Sequence, residues 1–241
     1  MRGANSYSRL WFDTFLGRID PAIVDREVAF LHRQLPSGAR VLDLCCGPGR
    51  HVRPLAATRF QVIGLDIDAM ALGTARQRSP NASFIRADMR EVPLGDDTVD
   101  VTICMWQSFG HFDSRGNERS LQEMARVTRP GGVLILDLYQ REFYARSEGE
   151  REIVRDGARI HERRRMTGNR LRVHLEYEPS GFTEEFEWEL YTPAEFAILA
   201  LRAGLRPLGS FADFDESIAA SPDRPRMQLV LERARTTRAH P

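Results

Sequence analysis

The sequence contains no lysine. All 34 of its cationic side chains are arginine, set against 34 carboxylates for a formal net charge of zero. The absence excludes a lysine Schiff base, a desolvated amine base and the lysine of a Walker phosphate loop. Zero net charge also speaks against a general nucleic-acid binder, which carries a basic excess. Codon bias in a GC-rich genome accounts for the missing lysine without any chemistry. Long apolar runs are lacking too. No stretch approaches the ~18 residues of a membrane helix, and Met1–Tyr7 has no apolar signal core, so neither membrane nor secretion is expected. Cysteine is scarce. Cys45, Cys46 and Cys104 lie in strand-like segments without CxxC spacing, which suits reduced, buried thiols in a cytoplasmic protein. His32, His161, His174 and His240 show no ligand spacing, so no metal is expected.

What is present suffices for a full core: 241 residues, 42% of them hydrophobic, fit one large domain or two small ones. Tyr7–Leu35 reads as helical. Asp20-Pro21 gives a cap followed by proline at the first helical position, and Val24, Val28, Leu31 and Leu35 form an apolar stripe. Apolar runs at Arg40–Leu44, Gln61–Leu65, Ala82–Arg86, Val99–Cys104 and Val133–Leu138 then alternate with helix-compatible stretches such as Asp68–Arg78 and Asn117–Thr128. Strands alternating with helices call for a parallel sheet. After Tyr139 the period shortens. Glu152–Arg155 and Ala158–Met166 flank the turn dipeptide Asp156-Gly157, and Leu171–Tyr177 and Phe186–Leu190 alternate apolar with polar, as an antiparallel meander does. Thr192-Pro193-Ala194-Glu195 opens a further helix with a capping box, and Leu205–Phe211 and Met227–Glu232 are two more strands before a frayed tail, Ala234–Pro241. The expected architecture is α/β: a Rossmann-like, seven-stranded, mostly parallel sheet with helices on both faces and an inserted antiparallel β-meander. Residues 1–36 form an N-terminal helical lid, 37–140 the core, 141–190 the insert and 191–234 the segment completing the sheet.

The chemistry concentrates where the first three strands end. Val41-Leu42-Asp43-Leu44-Cys45-Cys46-Gly47-Pro48-Gly49-Arg50-His51 runs from a buried strand through a glycine turn into a helix, whose first N–H groups are free to meet a ligand. NAD enzymes use the same geometry, but the third glycine of their fingerprint is here Val52. Asp43 stands where an acid holds the glycine loop and receives an ammonium group. Asp66, nineteen residues after Gly47, is placed to accept ribose hydroxyls. Asp88-Met89 offers a carboxylate for an adenine amino group beside a soft side chain for its ring. Successive parallel strands bring all of these to one rim.

With these motifs the chain resembles the class I S-adenosylmethionine (SAM)-dependent methyltransferases of the bacterial small-molecule type. Motif I is Leu42–His51, the ribose motif Gly64-Leu65-Asp66 and the adenine motif Arg86-Ala87-Asp88-Met89. Ser108–Phe112, Arg129-Pro130-Gly131-Gly132, Tyr191–Glu195 and Asp213-Phe214-Asp215 are also similar. The resemblance implies a sheet with a reversed last strand, SAM as cofactor, S-adenosylhomocysteine (SAH) as product and a small-molecule acceptor with a nitrogen, oxygen or carbon nucleophile. It implies cofactor contacts from Tyr7, Asp43, Cys45, Gly47, Gly49, His51, Asp66, Ile67, Asp88, Met89 and Met105. His111 stands where a tyrosine is common.

Since the sulfonium methyl is already electrophilic, the protein mainly aligns the nucleophile and excludes water. His111, with an ordinary pKa near neutrality, is the candidate general base; otherwise it shapes the pocket. Tyr7, Trp11, Phe12 and Phe15 are lid residues or simply core. His51 is a cofactor contact or a solvated helix position. Ten arginines face six carboxylates between Arg141 and Arg172. Arg159, His161, Arg163 and Arg165 share one strand face, either as a wall steering an anionic substrate or as cross-strand partners of the glutamates at 176–189, and the meander's edge could serve a dimer. A monomer or homodimer, with no nucleic-acid or membrane partner, is expected. A nucleotide-dependent oxidoreductase and a non-catalytic SAM-binding scaffold are the competing readings.

Overall fold

A computed structural model describes residues 5, 7–17, 19–155 and 157–235. Asp156 of the expected turn and most of the expected tail, 236–241, lie outside the described residues. The main sheet contains β1 (Arg40–Leu44), β2 (Gln61–Asp66), β3 (Ser83–Arg86), β4 (Val99–Cys104), β5 (Thr128–Tyr139), β10 (Leu205–Ala212), β11 (Asp215–Ala219) and β12 (Arg226–Arg233). Its order is β11-β10-β12-β5-β4-β1-β2-β3. β1 to β5 run parallel, and β12 enters antiparallel between β5 and β10 as the reversed strand.

The count of seven strands is one short. β11 pairs with β10 through a tight turn at Asp213-Phe214, where both residues have positive φ (55° and 59°). A two-residue hairpin with both φ values positive normally calls for Asn-Gly, so no turn signal announces it. Burial of Phe214 against Phe30, 5.9 Å between ring centroids, holds the unusual turn.

Alternation along the strands supplies two cores. Leu42, Leu44, Leu134 and Leu136 point to one face, where α5 (Ser114–Val127) and α7 (Pro193–Arg202) pack with Leu121, Met124 and Phe196. Val41, Val62 and Ile135 point to the other, under Phe30 and Leu31 of α2 (Pro21–Gln34) and Leu72 of α4 (Ala69–Arg78). Strands buried on both faces read as the continuous apolar runs seen in the sequence. Between β1 and β2 lies the short α3 (Val52–Ala56), and α6 (Arg141–Arg146) follows β5.

The segment read as helical, Tyr7–Leu35, consists of separate helical pieces, the longest beginning at the expected Asp20-Pro21 cap. A short turn, α1 (Arg9–Trp11), passes into a π-helical turn at Phe12–Leu16, and α2 starts afresh at Pro21 with the Asp20 carboxylate accepting from the Ala22 N–H at 2.9 Å. Proline bars helix at the preceding residue, which forces the restart.

The insert is a separate antiparallel sheet of β6 (Gly149–Arg155), β7 (Ala158–Thr167), β8 (Arg170–Glu178) and β9 (Phe182–Glu189), in sequence order. One face buries Ile160, Leu171, Val173, Leu175, Phe186 and Trp188. The other carries ion pairs: Arg163 with Glu150, Arg159 with Glu152, His161 with Glu178 and Arg172 with Glu187, all at 2.6–2.9 Å. Pairing thus reaches the preceding strand as well as the following two.

Candidate active site

Because β3, β2, β1 and β4 are neighbours and parallel, the loops leaving their C-terminal ends share one rim, where open α/β sheets bind ligands. A cavity of about 1250 Å³ lies on it. Cys45, Gly47, Gly49 and His51 line it from the β1 loop, Asp66 and Ile67 from the β2 end, Asp88 and Met89 from the β3 end, and Met105 and His111 from the β4 loop. Tyr7 closes it from the N-terminal segment. Asp43 does not line it.

The glycine loop is held by a different acid than expected. Oδ2 of Asp66 accepts the Gly47 N–H at 2.7 Å, and its Oδ1 accepts the Asp68 N–H at 2.9 Å. Burial pushes the Asp66 carboxyl upward while these N–H groups oppose it. Asp43 is buried beneath the loop with Oδ2 unpartnered, and burial raises its pKa to about 8, against the attraction of Arg50. Gly49, at φ 82°, is a position where a Cβ would press on Ala75 at 3.1 Å, so the loop's close packing on α4 needs glycine. Asp88 grips the Arg90 guanidinium at 2.6 Å and accepts the Arg90 N–H at 2.8 Å, which hold it below the usual carboxylate range.

His51 is not a solvated helix residue. It is buried, and its Nε2 lies 2.9 Å from Oε2 of Glu27. Glu27, fully buried on α2, also pairs with Arg50 and accepts the indole N–H of Trp106 at 2.6 Å. One carboxylate thereby ties the N-terminal helix to the glycine loop and to the β4 loop, and these partners hold it below its ordinary pKa in spite of burial. Sequence reading missed this residue. The signal was a lone acid in the stripe that includes Val24, Val28 and Leu31, a position solvent would not favour.

The β4 loop is fixed against its own backbone preference. Trp106 and Gln107 both have positive φ (59° and 58°), a cost compensated by bonds from the Trp106 N–H to the buried Asp137 carboxylate (3.1 Å) and from the Gln107 N–H to the Asp137 carbonyl (2.9 Å). Arg226 pairs with Asp137 and lies over the Trp106 ring, as does Arg50. Gly110 passes so close to β9 that a Cβ would meet the Glu189 carbonyl at 2.5 Å, while its own carbonyl accepts the Glu189 N–H at 2.8 Å.

His111 follows. Its Nδ1 is buried without a hydrogen-bond partner, and burial lowers its pKa to about 4, so the near-neutral value expected of it does not hold. Tyr7 meets the His111 ring edge-on at 6.0 Å and stacks on Phe186 of the insert at 4.7 Å. Among the described residues none of the insert lines the cavity, and Arg159, His161 and Arg163 already hold carboxylates, so the cationic-wall reading of that strand finds no support.

Residues 41–132 match the model of a methyltransferase domain. A dTDP-3-amino-3,6-dideoxy-alpha-D-glucopyranose N,N-dimethyltransferase of Streptomyces fradiae is 36% identical over 110 residues, which are 45% of this chain and 43% of that protein. A demethylmenaquinone methyltransferase of Renibacterium salmoninarum is 37% identical over 100 residues, 41% and 40% of the two chains. The chain thus spans less than half the length of these curated relatives. A SAM-dependent methyltransferase from Clostridium acetobutylicum superposes with a TM-score of 0.78 at 13% identity, covering 93% of this chain and 96% of that one, a likeness of fold. Among the described residues no helix is long and apolar enough to cross a membrane.

Proposed function

We propose that this chain, whose residues 41–132 match a methyltransferase domain set in the class I SAM-dependent fold, moves a methyl group from SAM to a small-molecule acceptor and leaves SAH. The observation that carries the reading is the single cavity joining the glycine loop, Asp66, Asp88-Met89 and the His111 loop. At about 1250 Å³ it exceeds the ~300–1,000 Å³ usual for one small ligand, and so leaves room for cofactor and acceptor together.

The residues present fit the cofactor. Asp66 spends one lone pair of each oxygen on backbone N–H groups and keeps the others for the ribose hydroxyls. Asp88, turned to Arg90, retains less capacity for an adenine amino group, and Met89 and Ile67 offer apolar surface beside it. Asp43 acts from beneath the loop, as a buried acid that a nearby ammonium would ionise. Glu27, which His51 also bonds, holds Arg50 at the cavity wall, and His51 lines the cavity beside it. When bound, the cofactor supplies a methyl group already activated by its positive sulfur. The protein's task is then to align the acceptor and keep water out, for which Tyr7 and the aromatic segment behind it serve as the lid. His111, unprotonated through the neutral range, accepts a hydrogen bond from the acceptor and takes its proton where the nucleophile carries one.

Calorimetric titration with SAM, SAH and NADH tests the cofactor assignment: SAM and SAH bind, and stabilisation by NADH alone would turn the assignment to an oxidoreductase. Transfer of labelled methyl to a component of a bacterial extract separates an enzyme from a scaffold. With the true acceptor, His111→Ala lowers turnover while SAM affinity stays within a few-fold; unchanged turnover removes the base role. We further infer a cytoplasmic monomer or homodimer without a nucleic-acid partner, in keeping with the balanced charge.

A further inference from the structure

The part of the cavity around His111 has a composition of its own. Tyr7, Trp11 and Phe12 form a continuous aromatic wall, with Tyr7 4.4 Å from Trp11 and 6.1 Å from Phe12 between ring centroids, and all three line the cavity. Phe112 and Trp106 add aromatic surface from the β4 loop.

Charge there is already neutralised. Arg50 is paired with Glu27, Arg90 with Asp88, and Arg226, over Trp106, with Asp137. Among the described residues, the other charged ones lining the cavity, apart from Asp66 in its cradle of N–H groups, are Asp25, Arg53, Asp68 and Arg78, all solvent-exposed.

The side chains of Asn5, Gln107 and Ser108 on this side are equally committed. The Asn5 amide bonds both the N–H and the carbonyl of Glu187, Gln107 bonds the Phe109 carbonyl and the Tyr139 N–H, and Ser108 donates to the Met105 carbonyl at 2.8 Å. The Nδ1 of His111 is buried and has no partner. A sugar, or a chain with several hydroxyls, would lose water here and regain little, since each buried unpaired polar group costs ~1–3 kcal/mol. Among the described residues, an anion or an ammonium ion would find only solvent-exposed counter-charges, which water screens. A flat apolar molecule with one polar atom meets neither penalty.

We propose that the acceptor is an uncharged planar aromatic molecule bearing a hydroxyl group, seated against Tyr7, Trp11 and Phe12 with its hydroxyl hydrogen-bonded to the imidazole of His111, which lines the cavity. This rests on the methyl-transfer reading and deepens it. The hydroxyl oxygen forms the new bond to the methyl carbon, and the electron pair of the broken S–C bond stays on sulfur. The hydroxyl proton passes to His111 and on to water.

The test uses SAH-loaded protein and tryptophan emission, since Trp11 and Trp106 both line the cavity. The probes are 2-naphthol, 2-methoxynaphthalene, glucosamine and 3-hydroxybenzoate. The expected result is quenching by 2-naphthol, severalfold weaker binding of 2-methoxynaphthalene, and least effect from the sugar and the anion. Phe12→Ala weakens 2-naphthol at least tenfold and SAH less than threefold, while His111→Ala erases the preference for the hydroxyl. Labelled methyl from SAM then appears on 2-naphthol and not on glucosamine. Tighter binding of glucosamine or 3-hydroxybenzoate, no quenching by either naphthalene, or a preference that survives His111→Ala overturns the inference. Failure of both SAM and SAH to bind sinks the methyl-transfer reading itself, which the cofactor titration registers before any acceptor is added.

Discussion

The cavity has two walls of opposite construction. The wall at the strand ends is polar and determined bond by bond: Asp66 holds the glycine loop, Glu27 holds Arg50, His51 and Trp106, and Asp137 holds the β4 loop. The wall from the N-terminal segment is aromatic and rests on a second sheet, with Tyr7 and Trp11 against Phe186. The first wall presents directed hydrogen-bonding groups in fixed positions, as a cofactor of constant structure requires. The second presents non-directional apolar surface, which suits the separate acceptor proposed above.

The sharpest break in this contrast is Glu27→Ala. Removing the buried carboxylate leaves Arg50 and His51 without their counter-charge, and an unfolding loss of about 4 kcal/mol is expected, with altered Trp106 emission. Chemical denaturation followed by fluorescence measures both. Phe186→Ala acts on the other wall at a cost of about 3–4 kcal/mol, part of it local, because the N-terminal segment loses its seat. Hydrogen exchange should show amides of residues 7–16 opening while β1 and β4 stay protected; uniform exchange would mean the two walls are one cooperative unit.

His111 sharpens the boundary between the walls through pH. Its folded pKa of about 4 lies below the unfolded value of 6.5, so its contribution to stability is full above pH 6.5 and is lost as pH falls toward 4. Relative to His111→Asn, the native protein should lose up to about 3 kcal/mol across that window in denaturant titrations. The smallest effect is Arg163→Ala on the outer face of the insert. The Arg163–Glu150 pair is more than half exposed on both sides, so under about 1 kcal/mol is expected, vanishing in high salt.

Much of the wall at the strand ends was readable because its signals are local. An apolar run bounded by turn residues places β1 and β4 to the residue, and glycines and acids at strand ends mark the rim. The insert's alternation was equally plain. What escaped depends on partners far along the chain. Glu27 meets Arg50, His51 and Trp106 across 23, 24 and 79 residues, and nothing local names any of them. The Asp213-Phe214 turn has no glycine and is held by the ring of Phe30 in α2. The depressed pKa of His111 is a matter of enclosure, which only the docked N-terminal segment and insert create. That Asp66 and not Asp43 holds the glycine loop has the same origin. Both acids stand at strand ends, and only the path of the glycine loop decides which of them its N–H meets.

Asn5 closes on β9 in an unusual way. Its side-chain amide accepts from the Glu187 N–H at 2.7 Å and donates to the Glu187 carbonyl at 2.8 Å, the pair of bonds a neighbouring strand would make. β9 is an outer strand of the insert, and an open strand edge is a template for another chain. The amide of one asparagine therefore occupies, at Glu187, the two positions a further strand would use on that edge. On the methyl-transfer reading proposed above, an opening of the N-terminal segment would also uncover these two backbone groups of β9.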